Sequence, residues 1–541
     1  MYICGMRNTT IITIFCLLAI ACKGKDNPDT PIPTPTPEPE PEIVTDTNAP
    51  TNLVLTQLSS TSISLEWEDN SASEQGYTIW FSGNRVDSLA ANTTSYTYTL
   101  ESGFATGVTY FFGVKAAFES GESEMLDASI KATPIIKIEE SMANDVCFAV
   151  RYSVDNHTKS GLEFGLCWSA DGEASIDSKH EKGPAKNFRR GDSVFQVIPN
   201  SSLEYGKEYS VKPYATYNSI TYYGEELKLK LGTEPSAIKL SWNKVTTYSL
   251  PSSIELYETT SKLNGDAFHA WYAIADLSAG DITLKVNAPT SLATIDDQAA
   301  ADANCILLTN AGYFWNNDIV GYAVSDGTVS GWGVSAYTMS SSTSDSDYGS
   351  SYYATRGAFG VDSNGTPQAY WVASLNGSPI YYADPLASVR GEALYAAPSA
   401  VLPSTKVDWS PLNAVSAGPM LVYDGKVGFN FDTKSSDGFM LSNYEMLASD
   451  IFGASSNTAD RTAIGYTEDG KIILFICDGR ISDSQGCSVY EEAQIMKGLG
   501  CVKAVNLDGG GSTGMWVKGS HINDLTGGNR KVHTTIGFYS K

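Results

Sequence analysis

The sequence predicts a multidomain chain: two all-β sandwiches followed by an α+β domain, a mixed sheet with flanking helices. Three observations predict it. Short runs of alternating apolar and polar residues, separated by turn residues, fill residues 48–235. After about Ser236 the texture changes and helical stretches appear. The 541 residues suffice for about three to four domains, and the stretch 236–541 is too long for a further sandwich of about 100 residues.

The elements follow in chain order. Arg7 precedes an apolar run from Ile11 to Ala21 that ends in LAIAC. A positive start, a short apolar core and small residues before a cysteine read as a lipoprotein signal peptide, residues 1–22, with Cys22 as the lipidated mature N-terminus. The protein is therefore expected to be exported and anchored to the outer membrane, periplasmic or surface-facing, rather than to span it. Residues 23–47 form a Pro-rich linker. Its PIPTPTPEPEPE run (31–42) predicts an extended, semi-rigid stalk.

Residues 48–134 carry SISLEWED, GYTIWF, SYTYTL and TYFFGVKAAF. These runs resemble a fibronectin type III module, with Trp67 in the core and Tyr110 at the corner before a late strand. Residues 135–235 read as a second sandwich. FGLCWS and YSVKPYATYNSITYYGEEL are similar to the fibronectin-like repeats common in Bacteroidetes surface proteins, and KPYATYNS stands where GVKAAFES stands in the first module. A fragment beginning near Ser236 is expected to fold alone and remain active, because neither sandwich carries a chemical motif.

Composition narrows the partners. The chain has 36 basic and 61 acidic residues, a net charge of -25, which excludes duplex nucleic acid as an expected partner. Of nine cysteines, Cys147, Cys167, Cys305, Cys477, Cys487 and Cys501 lie beyond the leader. None has metal-site spacing with histidine. Cys147 and Cys167 flank a turn around Asn156, so pairing between them and buried free thiols both stay open.

The chemistry is expected at NLDGGGSTG (506–514). SVYEEAQIMKGLG (488–500) reads as a helix with a Ser488–Glu491 capping box and Gly500 as its stop. KIILFIC (471–477) before it and CVKAVNL (501–507) after it read as strands. Strand, helix, strand implies a right-handed crossover between two parallel strands. Asp478, Arg480 and Asp508 would then meet at one sheet edge. Two residues along an extended chain return to the same side, so Asp478 and Arg480 are expected to point together. RTAIGYTEDGK from Arg461 is echoed by RGAFGVDSNGT from Arg356, which suggests duplicated hairpins. The glycines suit a phosphate-cradling amide nest, and arginine suits bidentate phosphate recognition. Gly510, Ser512 and Gly514 also fit a serine-nucleophile elbow, but too few residues follow to build the rest of such a hydrolase. A P-loop lacks its lysine.

NAGYF (310–314), SAGPMLVYDGK (416–426), RTAIG (461–465), CDGR (477–480) and NLDGGGS (506–512), in this order, resemble the signature set of the phosphodiester glycosidase family. Ala311 stands where that family often has glycine, and the Ser-rich stretch 337–353 is an addition. The resemblance implies hydrolysis of a sugar-1-phosphodiester on a glycan or phosphoglycan at the cell envelope, releasing a sugar such as N-acetylglucosamine. It makes Asp508 and Asp478 the catalytic candidates. Asn310, Arg461, Arg480, Asn506, Gly509, Gly510, Gly511 and Ser512 become candidates for binding substrate and phosphate. The cofactor stays open in this reading: carboxylates and carbonyls could hold a divalent cation such as calcium, although no loop has its ligand spacing. The rival expectation is a non-catalytic glycan-binding surface lipoprotein.

Overall fold

In the computed structural model the described residues are 49–155, 162–183, 193–331, 337–338, 351–352, 355–375, 378–384, 406–428, 445 and 457–541. The leader with Cys22, the Pro-rich stalk, the turn at Asn156 and most of the Ser-rich stretch lie outside them.

Residues 51–131 form two facing sheets of three and five strands. Alternation explains their register. In Ser62–Glu68 the buried residues are Ile63, Leu65 and Trp67, every second position. Trp67 packs against Tyr77 at 5.4 Å. The Tyr110 hydroxyl accepts a bond from the Ala105 amide, five residues upstream, at 2.7 Å. Residues 135–230 form a second pair of sheets, again of three and five strands. There the Tyr209 hydroxyl accepts from the Glu204 amide at 2.9 Å, the same five-residue corner. Cys147 and Cys167 are both free and bury in separate apolar clusters, so the pairing left open for them does not form.

The third unit is built mainly from three antiparallel sheets. Its strands near the site are β1 (Ala270–Ala275), β2 (Ile282–Asn287), β3 (Cys305–Asn310), β4 (Arg461–Thr467), β5 (Ile472–Cys477), β6 (Cys501–Asn506) and β7 (Thr535–Ser540). An eight-stranded sheet places β1, β5, β4 and β6 side by side, and a five-stranded sheet places β2, β7 and β3 side by side. Runs such as IILFIC and CILLTN are buried at every position, because both faces of these strands are covered. A seven-stranded sheet holds the hairpin of Arg356–Val361 with Pro367–Leu375. That hairpin and β4–β5 are the two echoed segments, and each turns on a glycine with positive φ, Gly365 and Gly470.

The expected α+β character needs correction. The described α-helices are α1 (Ile295–Ala300) and α2 (Val489–Gly498), and the named strand pairings of the third unit are antiparallel. The two strands flanking α2 do run parallel, but β4 lies between them and pairs with both. A β-hairpin has supplied the intervening strand, which local periodicity could not reveal. The edge geometry survives this insertion. The start of β4 and the ends of β5 and β6 share one edge, with Arg461 opposite Cys477 and Ala463 opposite Asn506. Helix α2 begins with the expected capping box: the Ser488 amide donates to Glu491 Oε2 at 2.8 Å, and the Glu491 amide donates to Ser488 Oγ at 3.2 Å.

The expected break at residues 235 and 236 is crossed by a shared core. Val146, Cys147, Ala149 and Val197 of the second sandwich bury in the same apolar cluster as the eight-stranded sheet. The Tyr490 hydroxyl of α2 donates to Asp145 at 2.6 Å, and Lys426 donates to the carbonyls of Asn200 and Leu203.

Candidate functional site

The site grows from the shared sheet edge. Beyond β6 the chain continues through Leu507 and Asp508 into the glycine turn. Gly509 is extended, and Gly510, with φ of 60°, opens a short 3-10 turn to Ser512. A positive φ at 510 suits glycine, since a side chain there would be strained. The turn is moored on three sides. The Asp508 amide donates to the Ala311 carbonyl at 2.8 Å, and the Gly510 amide donates to the Asp460 carbonyl at 2.9 Å. The Asn310 amide group donates to the Asp508 carbonyl at 2.5 Å.

Asn310 is thus a staple. Its carbonyl oxygen also accepts from Thr462 Oγ1 at 2.9 Å and from the Gly514 amide at 3.2 Å. These internal bonds engage both ends of the amide that is expected to contact substrate. The amide-nest expectation also changes, because the Gly510, Ser512 and Thr513 amides all donate to nearby backbone carbonyls.

Asp508 is half-buried and lies against the Ser512 hydroxyl, the Gly509 amide and the charge of Arg530. Burial outweighs these three and pushes its carboxyl up to about 6. The Ser512 hydroxyl is buried and closes no hydrogen bond of normal geometry. Asn506 donates to Tyr313 Oη and to the Gly418 carbonyl, both at 2.8 Å, while its own Oδ1 is buried without a partner. Tyr313 Oη donates to the Gly418 carbonyl at 2.6 Å. Burial and the nearby Asp508 charge hold that phenol well above its ordinary range.

Three guanidinium groups approach the three glycines, one each. A Cβ built on Gly510 would stand 3.2 Å from Arg480 Nη2, one on Gly511 3.6 Å from Arg530 Nη1, and one on Gly509 3.8 Å from Arg461 Nη1. The three arginines differ in how they are held. Arg461 is buried, and it donates to the Cys487 carbonyl at 3.0 Å and the Asn457 carbonyl at 2.9 Å. Arg480 donates through Nε at 3.0 Å and Nη2 at 2.8 Å to one oxygen of Asp460, whose other oxygen accepts from Thr526 at 2.6 Å. Arg530 packs over the Phe314 ring at 5.4 Å, and its guanidinium makes no hydrogen bond or ion pair with a described residue.

Asp478 does not join this group. It has no exposed surface; its carboxylate accepts from Asn523 Nδ2 at 3.2 Å and the Asp524 amide at 3.3 Å. Burial pushes it to about 6 as well. Its contacts anchor the 523–530 loop that supplies Thr526 and Arg530, so it positions the site rather than facing it. The expectation that Asp478 and Arg480 point together fails because Arg480 has φ of 59°, and a left-handed residue breaks the two-residue alternation.

Sequence reasoning passed over Asp460, Arg530, Tyr313 and Trp315. Asp460 directly precedes the singled-out Arg461, and Arg530 follows a Gly-Gly pair, GGNR, which were the available signals. Trp315 is 73% exposed, and it lies two residues from Tyr313 where the chain enters the short strand Phe314–Trp315. Among the described residues, no three His, Cys, Asp or Glu side chains group as a metal site. No described helix is long and apolar enough to cross a membrane.

Fold and site together define a multidomain, mostly β protein with a half-buried carboxylate on a glycine turn ringed by arginines. Residues 303–539 match the phosphodiester glycosidase family model and residues 48–131 the fibronectin type III domain model, the first lying behind the second in the chain. Over 77 residues it is 38% identical to the SPbeta prophage-derived uncharacterized protein YomE of Bacillus subtilis (strain 168), covering 14% of this chain and 12% of that protein. Over 60 residues it is 38% identical to the N-acetylglucosamine-1-phosphodiester alpha-N-acetylglucosaminidase of Mus musculus, covering 11% of each. These matches therefore span only a small part of the relatives' length. The catalytic domain of the zebrafish enzyme of that name, auto-inhibited by its pro-peptide, aligns over 56% of this chain and 89% of its own, with 16% identity and a TM-score of 0.35.

Proposed function

We propose that this protein hydrolyses a sugar-1-phosphodiester at the glycosidic C1–O bond, releasing the sugar, N-acetylglucosamine being the first candidate, from a phosphoglycan at the cell envelope. The observation that carries the reading is one half-buried carboxylate, Asp508, on a glycine turn approached by three guanidiniums. Breaking C1–O beside phosphorus sends the electron pair to a phosphate oxygen. That leaving group needs little protonation, so a second carboxylic acid at the scissile bond is dispensable. The sugar passes through an oxocarbenium-like state that a carboxylate stabilises.

In this reading Asp508 attacks C1, or takes a proton from the attacking water. Arg480 and Arg530 receive the charge that develops on phosphate, and Arg461 holds the 457 and 487 segments behind them. Asn506 Oδ1, buried without a partner, and the Ser512 hydroxyl, which lies against Asp508, are acceptor and donor for sugar hydroxyls. Leaving the Asn506 acceptor unmade costs about 1–3 kcal/mol, a cost that ligand binding relieves. Trp315 offers an apolar face to a sugar ring on the rim.

The test is release of reducing sugar from N-acetylglucosamine-1-phosphate diesters by the intact protein. Asp508→Asn keeps the shape and removes the charge, and it should abolish release with the melting temperature little changed. Saturable binding without release by the unmodified protein would instead favour the glycan-binding lipoprotein. Export and an outer-membrane lipid anchor at Cys22 belong to the same proposal, and the mass of the mature N-terminal peptide checks them.

A further inference from the structure

Cys477 and Cys487 stand at the two ends of the loop that carries Asp478 and Arg480. Cys477 closes β5, and Cys487 immediately precedes Ser488, the cap of α2. Both are free thiols and wholly buried, and their sulfurs lie 3.6 Å apart. A disulfide requires about 2.0 Å between sulfurs, so closure needs about 1.6 Å of approach.

The main chain already holds the two ends in place. Ala459 and Cys487 exchange amide-to-carbonyl bonds at 3.2 Å in both directions, and Cys477 lies opposite Arg461 in the β4–β5 register. Each backbone is therefore pinned to the same short segment, residues 459–461. The other described cysteines sit on other strands, Cys147, Cys167, Cys305 and Cys501, and Cys167 Sγ is engaged with the Lys212 carbonyl at 3.4 Å.

We propose that Cys477 and Cys487 are joined as an intrachain disulfide when the chain folds in an oxidising compartment. The oxidant is a disulfide, either that of a thiol–disulfide oxidoreductase or oxidised glutathione. One cysteine thiolate attacks it and forms a mixed disulfide, expelling one thiolate. The second cysteine thiolate attacks the bonded cysteine sulfur and expels the other. Two protons and two electrons leave the protein, and the reagent ends as two thiols. The exchange belongs to the folding chain, because burial pushes the Cys487 thiol well up once the loop is closed. The finished bond is shielded from solvent reductants by the same burial. It ties the base of the loop that delivers Arg480 to Asp460 and Gly510. The bond uses no glycosidase chemistry, and it takes its oxidising compartment from the export proposed above.

The experiment uses the full chain, exported to an oxidising compartment, denatured in N-ethylmaleimide and digested without reduction. Mass spectrometry should find the peptides of Cys477 and Cys487 linked to each other and two hydrogens lighter than the sum of their reduced forms. Cys147, Cys167, Cys305 and Cys501 should carry the label. In a Cys487→Ser variant Cys477 should become labelled. Label on both Cys477 and Cys487 in the unsubstituted protein, or linkage of either to a different cysteine, overturns the proposal.

Discussion

Asp460→Asn is the sharpest probe of how the site is assembled. Asp460 is 1% exposed as a side chain, whereas its partner Arg480 is 53% exposed. The carboxylate receives two bonds from Arg480 and one from Thr526. An asparagine of the same shape keeps one acceptor oxygen and turns the other position into a donor. It must then give up either the arginine pair or the threonine bond, and in both cases the charge. Bonds to charged groups contribute about 1.5–3 kcal/mol each and neutral ones about 0.5–1.5. Because Arg480 is half in water, its share sits low in that range, and the expected loss is about 2–4 kcal/mol. For a unit of this size that is a fall in Tm on the order of 4–16 °C. The Asp460 carbonyl still holds the Gly510 amide, so the fold should persist. Arg480, freed from its tether, loses its aim at the glycine turn. If about 2 kcal/mol of transition-state stabilisation goes with it, kcat/KM falls roughly 30-fold. Thermal denaturation and initial rates on a sugar-1-phosphodiester read both effects, and the double variant with Arg480→Gln reads their coupling. Strict additivity of the two substitutions, with kcat/KM of Asp460→Asn within two-fold of the parent, would refute the reasoning.

Three further outcomes are expected. Asp508 has its pKa raised to about 6, so it loses its proton only as pH rises through 6; kcat/KM should climb across that range to a plateau, and Arg530→Gln should move the limb upward, because the Arg530 charge pulls the pKa down; a pH–rate profile checks both. Trp315→Ala should raise KM for saccharide phosphodiesters by up to about 10-fold with kcat nearly unchanged, since aromatic stacking contributes about 0.5–1.5 kcal/mol; an unchanged KM would take Trp315 out of the substrate path. A fragment of residues 236–541 should be less stable and more aggregation-prone than one of residues 135–541, because the cut uncovers the core shared with Val146, Ala149 and Val197; equal melting temperatures in a side-by-side scan would count against that.

What the sequence revealed follows from what local patterns encode. Alternation in SISLEWED sets which residues face inward, and Ser488 with Glu491 sets where α2 begins; both are decided within a few residues and were legible. The edge that gathers Arg461, Cys477 and Asn506 was legible in outcome but not in cause, because β4 enters between β5 and β6 from earlier in the chain. Arg480 was placed beside Asp478 by assuming extended backbone, and a single left-handed residue redirected it to Asp460. The roles of Asn310 and Asn506 could not be separated from sequence. Both are buried amides, and only the set of partners distinguishes a staple from a side chain with an open acceptor.

The core that runs through the boundary between the second sandwich and the third unit has a mechanical consequence. The Ser60 amide ties the first sandwich to Asp155 of the second at 2.7 Å, and the second is welded to the sheet behind the glycine turn. The second sandwich and the sheet behind the glycine turn therefore move as one body, because separating them would expose Val146, Cys147, Ala149 and Val197 to water.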